Sequence, residues 1–232
     1  FAGGEADPVE PRGADHDPWP PTARPSLTNL DVAIARSLPA YRDRGEVREV
    51  ERLYLDSIAA ARRFLYIENQ YFSSHRIAAA LAERLREPDG PEVVLVMPEQ
   101  TGGWLEQHTM DVLRGRVLQD LHEADRHNRL RVYYARLSSE PPVSLMVHAK
   151  VMVIDDAFAR VASSNLSNRS MGLDSECDLA VASTDTRDLG EPIATFRRRL
   201  LAEHLGVSVE ALAAAEEEHD GLIAAIESLR GG

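Results

Sequence analysis

The sequence predicts an α/β fold, a mixed β-sheet flanked by helices on both faces, and two observations carry that prediction. Short apolar or alternating runs of strand length recur between longer stretches with helical spacing, which is the pattern of a central sheet covered by helices. Two of the strand-like runs, "LMVHAKVMVID" and "FARVASS", are separated only by the turn-like "DDA", so an antiparallel hairpin joins an otherwise crossover-connected sheet. No internal repeat competes with this reading.

The elements follow in order. "LDVAIAR" alternates as a short strand would, and "EVREVERLYLDSIAAARRF" then carries apolar residues at helical spacing. "FLYIENQYF" reads as a strand running into a loop, "HRIAAALAERLRE" as a helix stopped by "PDGP", and "EVVLVMP" as a buried strand. A long helix is expected from about Trp104 to Asn128, then a strand "LRVYYARL" and the loop "SSEPPVS". After the hairpin come a strand "CDLAVAS", a helix "LGEPIATFRRRLLAEHLG" and an Ala- and Glu-rich helical pair. Residues 1–28, rich in Pro, Gly and acids, read as a linker or leader cut from a longer chain rather than a signal peptide. Residues 29–232 form one lobe with a C-terminal helical extension.

Composition narrows the function classes. A formal net charge of -12 disfavours a general nucleic-acid binder, whose affinity would rest on neutralising phosphates, so no nucleic-acid partner is expected. The longest apolar runs are far too short to span a bilayer as a helix. A single cysteine, Cys177, excludes an intramolecular disulfide and reads as a small buried residue. His122 and His127 are five apart, about 140° around a helix, so they cannot share a metal as an i, i+4 pair does. The run around Arg197–Arg199 reads as a solvated helix face, and "PEQTGGW" lacks the lysine and hydroxyl of a phosphate-binding loop.

Among 26 basic residues, Lys150 is the only lysine, and it lies two residues after His148 on an apolar run. Burying an ammonium costs several kcal/mol unless a partner or ligand compensates. The period of two on an extended strand places His148 and Lys150 on one face, with Ala149, Val151 and Val153 on the other. An imidazole beside an ammonium suits reaction at a phosphate: the cation stabilises nonbridging oxygens while the ring attacks phosphorus or moves a proton. Ser163 and Asn165, again two apart, are placed to donate hydrogen bonds to the same oxygens, and Glu176 stands at the mouth of the next strand, where a carboxylate can orient the imidazole. "ENQYF", residues 68–72, reads equally as a strand-end cap or as part of the cleft lining.

His148, Lys150 and Asp155 in the pattern H-x-K-x4-D, followed by Ala162 and then S-x-N, resemble the signature of the phospholipase D superfamily. "YIENQYF" and "RSMGLDSECDLAV" are similar to segments of true phospholipases D, so the resemblance covers most of residues 30–204. It implies a phospholipase D-like lobe and a metal-free and cofactor-free two-step phosphodiester exchange through a phosphohistidine. It makes His148 a general acid and base, Lys150 and Asn165 phosphate ligands, Ser163 a supporting donor and Glu176 the imidazole's orienting carboxylate. Asp155 belongs to the catalytic signature as a structural member rather than a proton carrier. The family has glycine where this chain has Ala162, and its sites use two such motifs, of which this chain carries one. The chain is therefore expected to be the C-terminal lobe of a two-motif enzyme. Its partners would be a phospholipid at a membrane surface and either a missing first lobe or a second copy of this lobe. The alternatives are a cardiolipin-synthase-like phosphatidyltransferase and an isolated lobe that is inactive without the first motif.

Overall fold

The computed structural model describes residues 13, 19–22, 25–100, 111–137, 139–184 and 186–230. Strands β1 (Ala33–Leu38), β2 (Val47–Arg48), β3 (Phe64–Glu68), β4 (Glu92–Met97) and β5 (Leu130–Tyr134) precede β8 (Val151–Ile154), β9 (Phe158–Ala162) and β10 (Glu176–Ala182). They form one sheet in the order β2-β1-β10-β9-β8-β3-β4-β5, while β6 (Arg136–Leu137) and β7 (Val143–Ser144) make a separate small hairpin. The β3–β4 and β4–β5 pairings are parallel and the others antiparallel, so the sheet is mixed as expected.

One helical layer packs on each face, leaving Ile34, Val161 and Leu179 of β1, β9 and β10 exposed. Helices α1 (Glu49–Ala60), α2 (His75–Arg86), α3 (Val112–Ala124) and the short α4 (Asn168–Gly172) pack on one face. Their Tyr54, Ile58, Leu81 and Leu121 meet Leu65, Ile67, Leu95 and Met152 of the strands. Helices α5 (Gly190–Leu205), α6 (Val209–Glu218) and α7 (Leu222–Leu229) bury Ile193, Leu212 and Ile226 on the other face, against Tyr66, Val94, Val96 and Val153. Every residue of β3 is buried, as a parallel strand covered on both faces requires. Side-chain caps set helix starts at Ser74, Ser167 and Ser208, and Gly206, at φ 68°, ends α5 in the left-handed conformation that glycine adopts without a Cβ penalty.

The β8–β9 hairpin turns through Asp155 and Asp156, at φ 55° and 56°, with Ala157 N–H donating to Ile154 O at 2.9 Å. Short polar side chains are the ones that enter this left-handed region most readily after glycine.

Several expectations are corrected. The strand carrying the motif begins at Val151 rather than Leu145, because the preceding segment leaves the sheet to continue from the β6–β7 hairpin. The third helix spans Val112–Ala124, so His127 lies beyond it, and both His122 and His127 are exposed. Trp104 lies outside the described residues. Cys177 is exposed rather than buried, because β10 turns it to the side away from Asp178. Arg197 is not solvated: it is 2% exposed, and its guanidinium pairs with Asp156 at 2.8 Å and with Glu216 at 2.5 Å.

Candidate active site

Sheet alternation decides what the motif presents. Val151 and Val153 face the α5–α7 layer, and Met152 and Ile154 face the α1–α4 layer. Lys150 continues the second series at the open end of β8, where the C-terminal ends of β3 and β9 and the start of β10 converge. Its backbone carbonyl still accepts from Ala162 N–H at 2.9 Å, so the two halves of the signature are held side by side.

Lys150 is 8% exposed. Its Nζ donates to His148 O at 2.8 Å and to Gln70 Oε1 at 3.3 Å. An ammonium has three donors, so one N–H is without an acceptor among the described residues. Burial pushes the Lys150 ammonium down from its usual range, and the Glu176 carboxylate opposes that shift. His148 is exposed, and its ring has no hydrogen-bond partner among the described residues.

Glu176 does not bond the imidazole. Its Oε2 accepts from Ser163 Oγ at 2.5 Å, and the same hydroxyl oxygen accepts from Cys177 N–H at 2.9 Å. Ser163 therefore spends its proton on Glu176 and, in this arrangement, has none to offer a phosphate. Asn165 donates its backbone N–H to Ser170 Oγ at 3.0 Å, while its Oδ1 is buried without a partner among the described residues. The structure thus gathers His148, Lys150, Ser163, Asn165 and Glu176 at one end of the sheet.

Asp155 lies at the other end. Its carboxylate accepts from the backbone N–H groups of Arg62, Arg63 and Phe64 at 2.7, 2.8 and 2.8 Å. Five residues of extended chain separate it from Lys150, roughly 17 Å at the strand rise. It anchors the hairpin turn to the start of β3, at the end of the sheet opposite Lys150.

The segment Glu68–Phe72 does both things its sequence allows. Asn69 Oδ1 accepts from Tyr71 N–H at 3.2 Å and from Leu166 N–H at 3.1 Å, and Ser73 and Ser74 N–H donate to Leu166 O at 2.8 and 3.0 Å. These bonds splice the loop after β3 onto the Ser163–Asn165 turn. Gln70 lines the site, accepting from Lys150 and donating from Nε2 to Tyr71 Oη at 3.1 Å. Within the segment read as a cap or as cleft lining, Asn69 makes the capping contacts and Gln70 faces Lys150; the sequence signal was three polar residues closing a wholly buried strand. Glu68 faces the opposite layer, where Tyr66 Oη donates to it at 2.5 Å and His204 Nε2 stands at 3.2 Å. No cluster of three or more metal-ligating side chains occurs among the described residues.

Comparison with known proteins defines the class. Residues 54–198 match the family described as "Cardiolipin synthase, PLD-like domain", which is more than half of the chain. The chain belongs to this phospholipase D-like family. It is 26% identical to a phospholipase D of Phytophthora infestans over 88% of the chain and 14% of that protein. It is 27% identical to phospholipase D zeta 1 of Arabidopsis thaliana over 78% of the chain and 21% of that protein. It therefore spans less than a quarter of the length of either relative.

Among solved structures, the fold is similar to phosphatidylserine synthase of Haemophilus influenzae, with a TM-score of 0.55 at 18% identity over 78% of this chain and 40% of that one. It is also similar to NUC of Salmonella typhimurium, a phospholipase D family member, with a TM-score of 0.51 at 15% identity over 73% and 90% of the two chains. No described helix is long and apolar enough to cross a membrane.

Proposed function

We propose that this chain supplies one half of a phospholipase D-type site that exchanges the phosphodiester of glycerophospholipids by hydrolysis or transphosphatidylation. The observation that carries the reading is Lys150: the sole lysine, buried, with one N–H to spare among the described residues, beside an exposed His148 whose ring has no partner among them. Lys150 and Asn165 would hold the nonbridging oxygens. A histidine from a second motif attacks phosphorus, and the departing alkoxide takes its proton from His148. His148 then takes a proton from water or an alcohol, whose oxygen attacks the phosphohistidine, breaks the N–P bond and returns the first histidine.

The chain has no second lysine, so the facing H-x-K comes from another lobe of a longer protein or from a second copy. Exposed Leu145 and Met146, just before His148, favour an amphiphilic substrate over a polar diester. A net charge of -12 favours zwitterionic over anionic lipid. The second reading, a cardiolipin-synthase-like phosphatidyltransferase, shares these steps and draws on the family description.

The test is His148→Ala in the complete protein with phosphatidylcholine as substrate. Turnover is expected to fall at least ~10²-fold, the usual scale for general acid–base catalysis. Near-normal turnover on a lipid with a poor leaving alcohol refutes the role. Product analysis with phosphatidylglycerol as the only lipid separates transfer from hydrolysis.

A further inference from the structure

Beneath the Ser163–Asn165 turn sits a set of buried polar groups that the proposed reaction does not use. Ser164, the middle residue of the turn, is out of contact with solvent, as are Asp178, Arg160 and Tyr54. Asp178 uses both carboxylate oxygens on Ser164: Oδ1 accepts the backbone N–H at 3.3 Å, and Oδ2 accepts the hydroxyl at 2.7 Å. The Ser164 carbonyl accepts from Tyr54 Oη at 3.4 Å. Arg160 closes the set, with Nη1 at 3.1 Å from Asp178 Oδ2 and its guanidinium 3.4 Å from the centre of the Tyr54 ring.

Stability alone does not explain this arrangement. A buried ion pair recovers little more than the cost of removing its charges from water, and well-packed apolar residues of similar volume are often as stable. What the arrangement accomplishes is geometric. Every polar group of Ser164 is fixed from below, and Ala162 N–H is fixed to Lys150 O at 2.9 Å. The flanking side chains, Ser163 and Asn165, are thereby held in one register relative to Lys150.

We propose that Asp178 is a positioning residue of the phosphate site, acting through Ser164 and backed by Arg160 and Tyr54. This rests on the reading of the site as a phosphodiester site. Preorganised donors are effective because they need not reorganise during reaction, and misplacement by about 1 Å can cost on the order of 10²-fold in rate.

The experiment compares Ser164→Ala, Asp178→Asn, the double variant and Tyr54→Phe with the parent in the complete protein. It measures kcat and KM on phosphatidylcholine, the pH profile and thermal melting. Ser164→Ala deletes only the hydroxyl and keeps the Arg160–Asp178 pair, so it stays informative if Asp178→Asn does not fold. Its kcat/KM is expected to fall at least about tenfold, mostly in kcat, without displacement of the pH flanks. The double variant should be no worse than Asp178→Asn, because both changes break one contact. A folded Ser164→Ala within twofold of the parent overturns the proposal, as do losses that multiply in the double variant. His148→Ala in the same assay keeps the two ideas separate. If it retains activity, the phosphodiester reading fails whatever Ser164→Ala does; if it is inactive while Ser164→Ala is normal, only the positioning role fails.

Discussion

Arg197→Met should cost the protein a large part of its stability. The guanidinium bridges the two helical layers' common support: it holds Asp156, in the β8–β9 turn, at 2.8 and 2.9 Å and Glu216, on α6, at 2.5 and 3.3 Å. Burial would lower its pKa, yet the two carboxylates hold it raised. After substitution Glu216 keeps Arg198 at 2.7 Å, but Asp156, whose side chain is 15% exposed in the parent, loses the cation it pairs with. Removing one partner of a buried pair costs 3–5 kcal/mol, and the surviving Glu216–Arg198 contact puts this case near the lower end, about 3 kcal/mol. For a chain of this size each kcal/mol moves the melting temperature by about 2–4 °C, so a drop of roughly 6–12 °C is expected.

Thermal unfolding followed by circular dichroism reads this directly. Asp156→Asn/Arg197→Met, which removes the stranded charge, should recover most of the loss. The pH dependence has a fixed sign. Burial pushes Glu216 up, but the two arginines outweigh it and hold the folded value below the usual carboxylate range. Its contribution is therefore present above the unfolded pKa of about 4.3 and is lost as pH falls through the lower folded value. A single variant melting within about 2 °C of the parent, or a double variant no more stable than the single, would refute the account.

Two further outcomes follow from buried or anchoring groups away from the reaction. The hydrogen bond to Glu68 raises the His204 pKa, with burial opposing it, so the stability it adds is fully present below the unfolded value near 6.5 and fades as pH rises through the folded one. The melting gap between parent and His204→Gln should therefore shrink from pH 6 towards pH 9, and a gap that widens would contradict the assignment. Asp155→Ala strips three backbone donors of their acceptor and should lower stability by about 1–3 kcal/mol in urea titration; a pH–rate profile with a flank displaced in the folded fraction would show instead that Asp155 takes part in proton transfer.

Much of this was legible in the sequence because sheet periodicity and turn chemistry are local. The alternation of Val151–Ile154 and the turn at Asp155–Asp156 both follow from residue order. What escaped depended on partners distant in the chain. Arg197 looked solvated because Asp156 and Glu216 lie 41 and 19 residues away. Asp178 carried no signal because its partner Ser164 occupies a position of the motif open to any residue. The expected Glu176–imidazole contact was replaced by Ser163, a competitor of the kind that spacing cannot rank.

These long-range contacts explain why the signature spans an entire strand. The signature residues stand at the two ends of the β8–β9 hairpin, and Arg160, the charged residue inside it, is buried against Asp178. At the turn, Asp155 fastens the hairpin to the start of β3 while Asp156 reaches Arg197 in the opposite layer, so the hairpin is clamped to its neighbours on two sides. At the other end, with that clamp as a fixed reference, Lys150, Ser163 and Asn165 emerge in register next to the loop after β3, whose Asn69 and Gln70 contact both halves. Asp155 thus earns its place in the H-x-K-x4-D pattern mechanically. Loosening the turn would let the strand slide or tilt, and a displacement too small to unfold the domain would still separate the ammonium from the amide that the proposed chemistry needs on one phosphate.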